Sequence, residues 1–193
     1  MELDKVNSKI IGITGAFGSG KSTAAAFFES KGFKKIILSQ FLEEEARKRG
    51  IKEITRKILQ NIGNEWREEY GVSILGEKAL EKILAGRQEK IVVDGIRNIG
   101  EVEKLRNSGN FILIAMLSDR TVRFDRLKNL RRRESLTWEI FEKLDSRDAG
   151  AGEKETGLQV DRCIGMADVR IENNGSEKEF RKKLEYFLTQ YEK

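Results

Sequence analysis

The chain has 193 residues, 38% hydrophobic and 36% charged, and 37 Lys plus Arg against 32 Asp plus Glu give it a net charge of +5. That is enough for one domain with a single sizeable core, and no apolar run approaches the ~20 residues that span a bilayer. The absence of histidine excludes imidazole bases, imidazole metal sites and any Ser-His-Asp scheme, and the single cysteine, Cys163, excludes an internal disulfide.

Met1 to Lys9 is polar and lacks the apolar centre of a signal peptide. With one thiol, the expected home is therefore a reducing cytoplasm. Ile10, Ile11 and Ile13 form a short β-branched run that predicts a buried strand. The next stretch, Gly15-Ala16-Phe17-Gly18-Ser19-Gly20-Lys21-Ser22, matches the pattern G-x-x-x-x-G-K-[ST]. Ala24, Ala25, Ala26, Phe27 and Phe28 predict a helix, with Gly32 placed to end it. Strand, glycine loop and helix are the surroundings that make this pattern a phosphate-binding loop. The glycines let the chain wrap closely about an anion, and the helix N-terminus favours its charge. Lys21 would reach the β- and γ-phosphates, and the Ser22 hydroxyl would ligate Mg²⁺.

Phe33 to Leu38 predicts a second strand. Ser39 is a candidate N-cap for the helix after it, with Glu43, Glu44 and Glu45 in the early turns and Gly50 closing it. Ile51, Ile54, Ile58 and Ile62 recur at helical spacing and predict a third helix. Gly63 and Gly71 then punctuate a short segment holding Trp66 and Tyr70. Leu75, Ala79, Leu80, Ile83 and Leu84 predict a helix ending at Gly86. Lys90 to Asp94 predicts a third strand with an acid at its C-terminal end, and Asn98 with Glu101 forms a capping-box pattern for the following helix. Phe111 to Leu117 predicts a strand buried on both faces. Ser118 opens a helix with the stripe Val122, Leu127 and Leu130, and Thr137 opens a short one with Trp138, Phe141 and Leu144. Cys163 lies in an apolar segment as a packing residue, and Asp168 to Glu172 predicts the last strand. Ser176 and Glu179 cap a terminal helix whose face is Phe180, Leu184, Phe187, Leu188 and Tyr191.

Five strands alternating with helices predict an α/β fold with a parallel sheet covered on both faces. Ligands of such sheets bind beyond the carboxyl ends of the strands, so the loops after Ile13, Leu38, Val93, Leu117 and Ile171 should meet at one site. Asp94 would hold Mg²⁺ there, directly or through water. Arg97 either presents its fork to a phosphate or is an ordinary surface arginine. Arg120, Arg123, Arg126, Arg131, Arg132 and Arg133 fall within fourteen residues. Part of that run is a solvated helix face, and part could offset charge on a moving phosphoryl group. Residues 131–152 fit a lid, with Arg147-Asp148-Ala149-Gly150-Ala151-Gly152 as its glycine-bearing exit. Elsewhere opposite charges are interspersed, and no basic stretch is interleaved with aromatics, which weighs against a nucleic-acid partner.

These stretches resemble the P-loop small-molecule kinases related to nucleoside monophosphate kinases, over nearly the whole chain. Leu59-Gln60-Asn61-Ile62-Gly63-Asn64-Glu65-Trp66-Arg67 and Val93-Asp94-Gly95-Ile96-Arg97 are similar to deoxynucleoside monophosphate kinases. Ala167-Asp168-Val169-Arg170-Ile171-Glu172-Asn173-Asn174-Gly175 is similar to dephospho-CoA kinases and one class of phosphomevalonate kinase. The resemblance implies strand order 2-3-1-4-5, ATP with Mg²⁺ as cofactors, and a nucleotide held by Gly15, Ala16, Phe17, Gly18, Ser19, Gly20, Lys21, Ser22 and Thr23. The adenine would lie near Asn173, Asn174 and Gly175. Lys21, Asp94, Arg97, Arg126, Arg131 and Arg147 would serve catalysis, Ser22 and Asp94 the metal, and Gln40, Glu43, Trp66 and Arg97 the acceptor.

It implies one domain over residues 1–193, with an acceptor-binding region at about 39–86 and a lid at about 131–152. The partner would be a small phosphorylated acceptor with no membrane involved, and the chain a monomer or a homodimer. Gln40 stands where relatives often carry an acid, and Glu43 where they carry an arginine. A hydroxyl acceptor calls for a proton-accepting carboxylate, whereas a phosphate with a second pKa near ~6 is already ionised. Gln40 thus points to a phosphorylated acceptor, foremost a nucleoside or deoxynucleoside monophosphate. The alternatives are a dephospho-CoA kinase-like reaction on a hydroxyl, and a nucleotide-binding switch or assembly factor without catalysis.

Overall fold

The computed structural model describes residues 6–129 and 136–192. Among them, five strands form one parallel sheet: β1 (Val6–Thr14), β2 (Lys34–Ile37), β3 (Lys90–Asp94), β4 (Gly109–Leu117) and β5 (Val169–Glu172), in the order β2-β3-β1-β4-β5. The expected strand order therefore holds. The helices are α1 (Lys21–Ser30), α2 (Leu38–Lys48), α3 (Arg56–Tyr70), α4 (Ile74–Gly86), α5 (Ile99–Asn107), α6 (Arg120–Asn129), α7 (Trp138–Ala149), α8 (Val160–Gly165) and α9 (Glu177–Tyr191). Leu130 of the expected helix stripe and residues 131–135 of the expected lid, Arg131 among them, lie outside the described residues.

The central strands are apolar throughout because both faces are buried, and successive side chains alternate between two cores. Ile10, Ile91, Val93, Leu113 and Ala115 pack with α2, α4 and α5. Ile11, Ile13, Val92, Ile114 and Met116 pack with α1 and α9 through Phe27, Phe28, Phe180, Leu184 and Phe187. Both capping boxes form, Asn98 with Glu101 at α5 and Ser176 with Glu179 at α9.

Three local expectations are corrected. The second strand stops at Ile37 and Leu38 already belongs to α2, so Ser39 lies inside the helix and caps nothing. The third helix starts at Arg56, because the Thr55 hydroxyl accepts from Ile58 N and fixes the N-terminus there. Ile51 and Ile54 pack against the core from the loop before it. Gly63 is mid-helix rather than a boundary: a Cβ there would come within 3.3 Å of Leu42, so its smallness serves the approach of α2 to α3.

Candidate active site

The loop between β1 and α1 is where backbone geometry first dictates a site. Gly18 has φ 83° and Gly20 φ 100°, angles an L side chain rarely adopts. A Cβ on Gly18 would lie 2.9 Å from Leu127 of α6, and one on Gly20 would run into the Asn173 amide. Asn173 follows β5 and ties its loop to this one by donating Nδ2–H to Ser19 O at 3.0 Å. Arg126 donates to Asn173 O at 2.8 Å and Gly175 O at 3.1 Å, so it secures that loop from the α6 side. Arg123 is buried and donates to Phe17 O at 2.9 Å. The loops after β1, β4 and β5 thus meet as expected. The loop after β3 joins them through Gly95 N to Ile13 O and Thr14 Oγ1 to Ile96 O.

Lys21 opens α1 and reaches back over its own loop, donating to Gly15 O at 2.6 Å and Ala16 O at 2.8 Å. Burial, then the charges of Arg97 and Arg56, pull its ammonium down to about 7. Above pH 7 the free site tends to lose a proton that an anionic ligand would restore, so phosphate binding is expected to take up a proton. Calorimetry of nucleotide binding at about pH 8, in buffers of different ionisation enthalpy, should show uptake on the order of one proton; no uptake would contradict this placement of Lys21.

Asp94 ends β3 and is 6% exposed, with the Ser22 hydroxyl among the polar neighbours that favour its charged form. Burial raises its pKa against the opposing pull of Lys21, Arg97 and Lys35. Two hard oxygen donors, a hydroxyl and a carboxylate, therefore stand side by side. This donor set fits Mg²⁺, which takes one or two protein oxygens and completes its shell with water and phosphate.

Opposite Lys21 lies a cluster that carries no sequence pattern. Arg56, first residue of α3, stacks over the Phe17 ring with 4.0 Å from guanidinium carbon to centroid. It donates to Asp148 Oδ2, and Gln60 Nε2 donates to Asp148 Oδ1 at 2.7 Å. Arg97 NH1 stands 3.6 Å from the same Oδ1. Burial alone would raise the Asp148 carboxyl, but Arg56, Arg97, Lys21 and Gln60 reverse it and hold it below the usual carboxylate range. The structure thus brings Lys21, Ser22, Asp94 and Arg97 together and adds Arg56 and Asp148.

Of the remaining candidates, Arg147 borders this cluster: it pairs with Glu153 at 2.6 Å and donates to Asn61 at 2.8 Å and to Gln60 at 3.5 Å, bridging α7 to α3. Gln40 is exposed, Glu43 pairs with Arg47 at 3.2 Å on the outer face of α2, and Trp66 lies under Lys78 in a hollow between α3 and α4. Arg56 lies in no motif, and Asp148, expected in the glycine-bearing exit of the lid, instead sits in the last turn of α7. The signal for Asp148 was its phase: Phe141, Asp145 and Asp148 share one helical face, and acids on an apolar face need partners.

The AAA domain family (AAA_18) matches residues 11–148. A UPF0200 protein of Thermococcus kodakarensis is 34% identical over 177 residues, covering 89% of this chain and 91% of that protein. Among solved structures, TT1252 from Thermus thermophilus has a TM-score of 0.61 at 18% identity, covering 95% of this chain and 97% of that one. Shikimate kinase from Acinetobacter baumannii has a TM-score of 0.56 at 17% identity, covering 95% and 94%. The fold is one that P-loop small-molecule kinases use.

Proposed function

The chain belongs to the AAA domain family (AAA_18) and to the UPF0200 proteins, and on that footing we propose that it transfers the γ-phosphoryl group of ATP to a small phosphorylated metabolite, foremost a nucleoside or deoxynucleoside monophosphate. An oxygen of the acceptor phosphate forms a bond to the γ-phosphorus, and the bond from that phosphorus to the β–γ bridging oxygen breaks. ADP leaves with the electron pair. No proton needs to move, because a phosphate monoester is largely dianionic at neutral pH.

The observation that carries this reading is the convergence of Arg56 and Arg97 beside Lys21, linked through Asp148. That is more positive charge than a neutral hydroxyl acceptor calls for, and guanidinium forks match phosphate oxygens. Asp148, held below the usual carboxylate range, is a poor proton acceptor, which further supports a phosphate over a hydroxyl. Lys21 would neutralise the β- and γ-phosphates, and the loop amides would hold them. Ser22 and Asp94 would hold Mg²⁺, which would offset negative charge on the nucleotide phosphates. The same reading takes residues 1–193 as one domain, with an acceptor region near 39–86 and a lid near 131–152. It places Arg126 and Asn173 to Gly175 at the adenine side and gives Arg131 and Arg147 to the lid.

Incubation with Mg·ATP and a panel of monophosphates, read by mass spectrometry, tests the reading. One acceptor should gain a single phosphoryl group with matching ADP, and dephospho-CoA should gain little. Nucleotide bound with no acceptor modified would favour a binding protein instead. Asp94→Asn keeps the shape of the side chain and removes its charge. It should fold and lose Mg²⁺-dependent turnover by about a hundred-fold; an unchanged rate and Mg²⁺ dependence would reduce Asp94 to a strand-end residue.

A further inference from the structure

Asp148 reaches into the site from α7, while the two guanidiniums it faces come from α3 and from the segment after β3. Its side chain is 1% exposed, and Gln60, itself 2% exposed, fixes one of its oxygens. Arg56 is bound to the other oxygen, yet its Nε is buried and finds no hydrogen-bond partner among the described residues. Arg97 stays at 3.6 Å, an ion pair without a hydrogen bond, and its guanidinium makes no hydrogen bond among the described residues. Two like charges at low exposure repel each other unless an anion stands between them. The carboxylate that does so is rigidly held, and it leaves donors of both arginines free.

The helix that carries it is docked by its own contacts. Phe141 is fully buried against Phe17 and Phe124, with centroids 6.3 and 5.5 Å away. Asp145, one turn before Asp148, pairs with Arg123 at 2.5 Å and Arg120 at 3.1 Å, and Arg123 in turn grips Phe17 O.

Resting on the phosphotransfer reading, we infer that Asp148 is a positioning residue: it is the fixed counter-ion that lets Arg56 and Arg97 converge, so the anionic group of the acceptor is received only when α7 is docked. Removing its charge should drive the two guanidiniums apart and spoil the anion site while sparing the nucleotide loop. A carboxylate that merely competed with the acceptor would do the opposite, and its removal would tighten anion binding.

The test uses the full chain loaded with Mg·AMP-PNP, so that the loop is filled, and inorganic phosphate as the probe, titrated by calorimetry. Asp148→Asn should weaken phosphate binding on the order of ten-fold while nucleotide affinity falls by no more than about two-fold. Asp148→Glu, which restores the charge one methylene away, should lie between Asn and wild type. If the Asn variant fails to fold, the Glu variant decides by the same split. Phosphate affinity unchanged or raised, both affinities falling together, or a nucleotide-loaded wild type that takes no phosphate would each overturn the inference alone. A wild type that takes no nucleotide would overturn the phosphotransfer reading and this inference with it.

Discussion

Lys21→Ala should leave the fold intact and lower Mg·ATP affinity or turnover by about a hundred- to a thousand-fold. Among the described residues the ammonium hydrogen-bonds only to two carbonyls of its own loop, Gly15 O and Ala16 O, so its removal leaves no buried partner charge unpaired. Its charge is already disfavoured in the folded chain, where burial and the neighbouring Arg97 and Arg56 pull it down to about 7. Taking it away relieves that repulsion, and the thermal midpoint should not fall. A bound nucleotide would lose a point charge at the β- and γ-phosphates, and no other side chain on that loop replaces it. Calorimetry of nucleotide binding beside thermal unfolding separates the two effects. Wild-type affinity in this variant would remove the loop from the account.

The second large effect is on stability. Arg67 and Glu101 are 1% and 0% exposed, and Arg67 donates Nε and NH2 to the same carboxylate oxygen at 3.0 and 2.7 Å. The other oxygen of Glu101 accepts from Arg97 N at 2.8 Å and Asn98 N at 3.2 Å. One buried carboxylate therefore ties α3 to the N-terminus of α5 and fixes the backbone from which Arg97 projects. Removing either partner leaves an uncompensated charge in the interior, so Arg67→Ala should cost about 3–5 kcal/mol in urea unfolding. Combining Arg67→Met with Glu101→Gln, which removes both charges and keeps an acceptor for Arg97 N and Asn98 N, should be milder than Arg67→Met alone. A single-mutant loss below ~1 kcal/mol would show that water reaches the pair.

Most of the fold was legible because the strands carry their signal locally. Ile91-Val92-Val93 and Phe111 to Leu117 are apolar on both faces, and a sheet covered on both sides demands that. The capping boxes at Asn98 and Ser176 were equally local. The start of α3 was not, since Ile51 and Ile54 keep helical spacing with Ile58 yet pack half-buried from a loop, and spacing alone does not separate the two. The six-residue α8 has no readable sequence signal, because so short a stretch holds under two turns of periodicity. At the candidate site, the loop lysine and the strand-end Asp94 stand in sequence contexts that announce them. Arg56 and Asp148, 92 residues apart, meet only through the fold. Buried ion pairs of that kind have no sequence period, and their one trace is an acid or an arginine on an otherwise apolar or polar-striped helix face, as in Arg56, Gln60, Asn64 and Arg67 along α3.

The central claim is transfer of a phosphoryl group between two phosphates, and the fate of the γ-phosphoryl group tests it most directly. The chain would be incubated with Mg²⁺, ATP labelled in that group and a set of nucleoside and deoxynucleoside monophosphates, and the products separated. The account predicts label in a diphosphate of one acceptor, absent from reactions with the Lys21→Ala chain. Label recovered only as inorganic phosphate, or retained entirely in ATP with every acceptor, would contradict it.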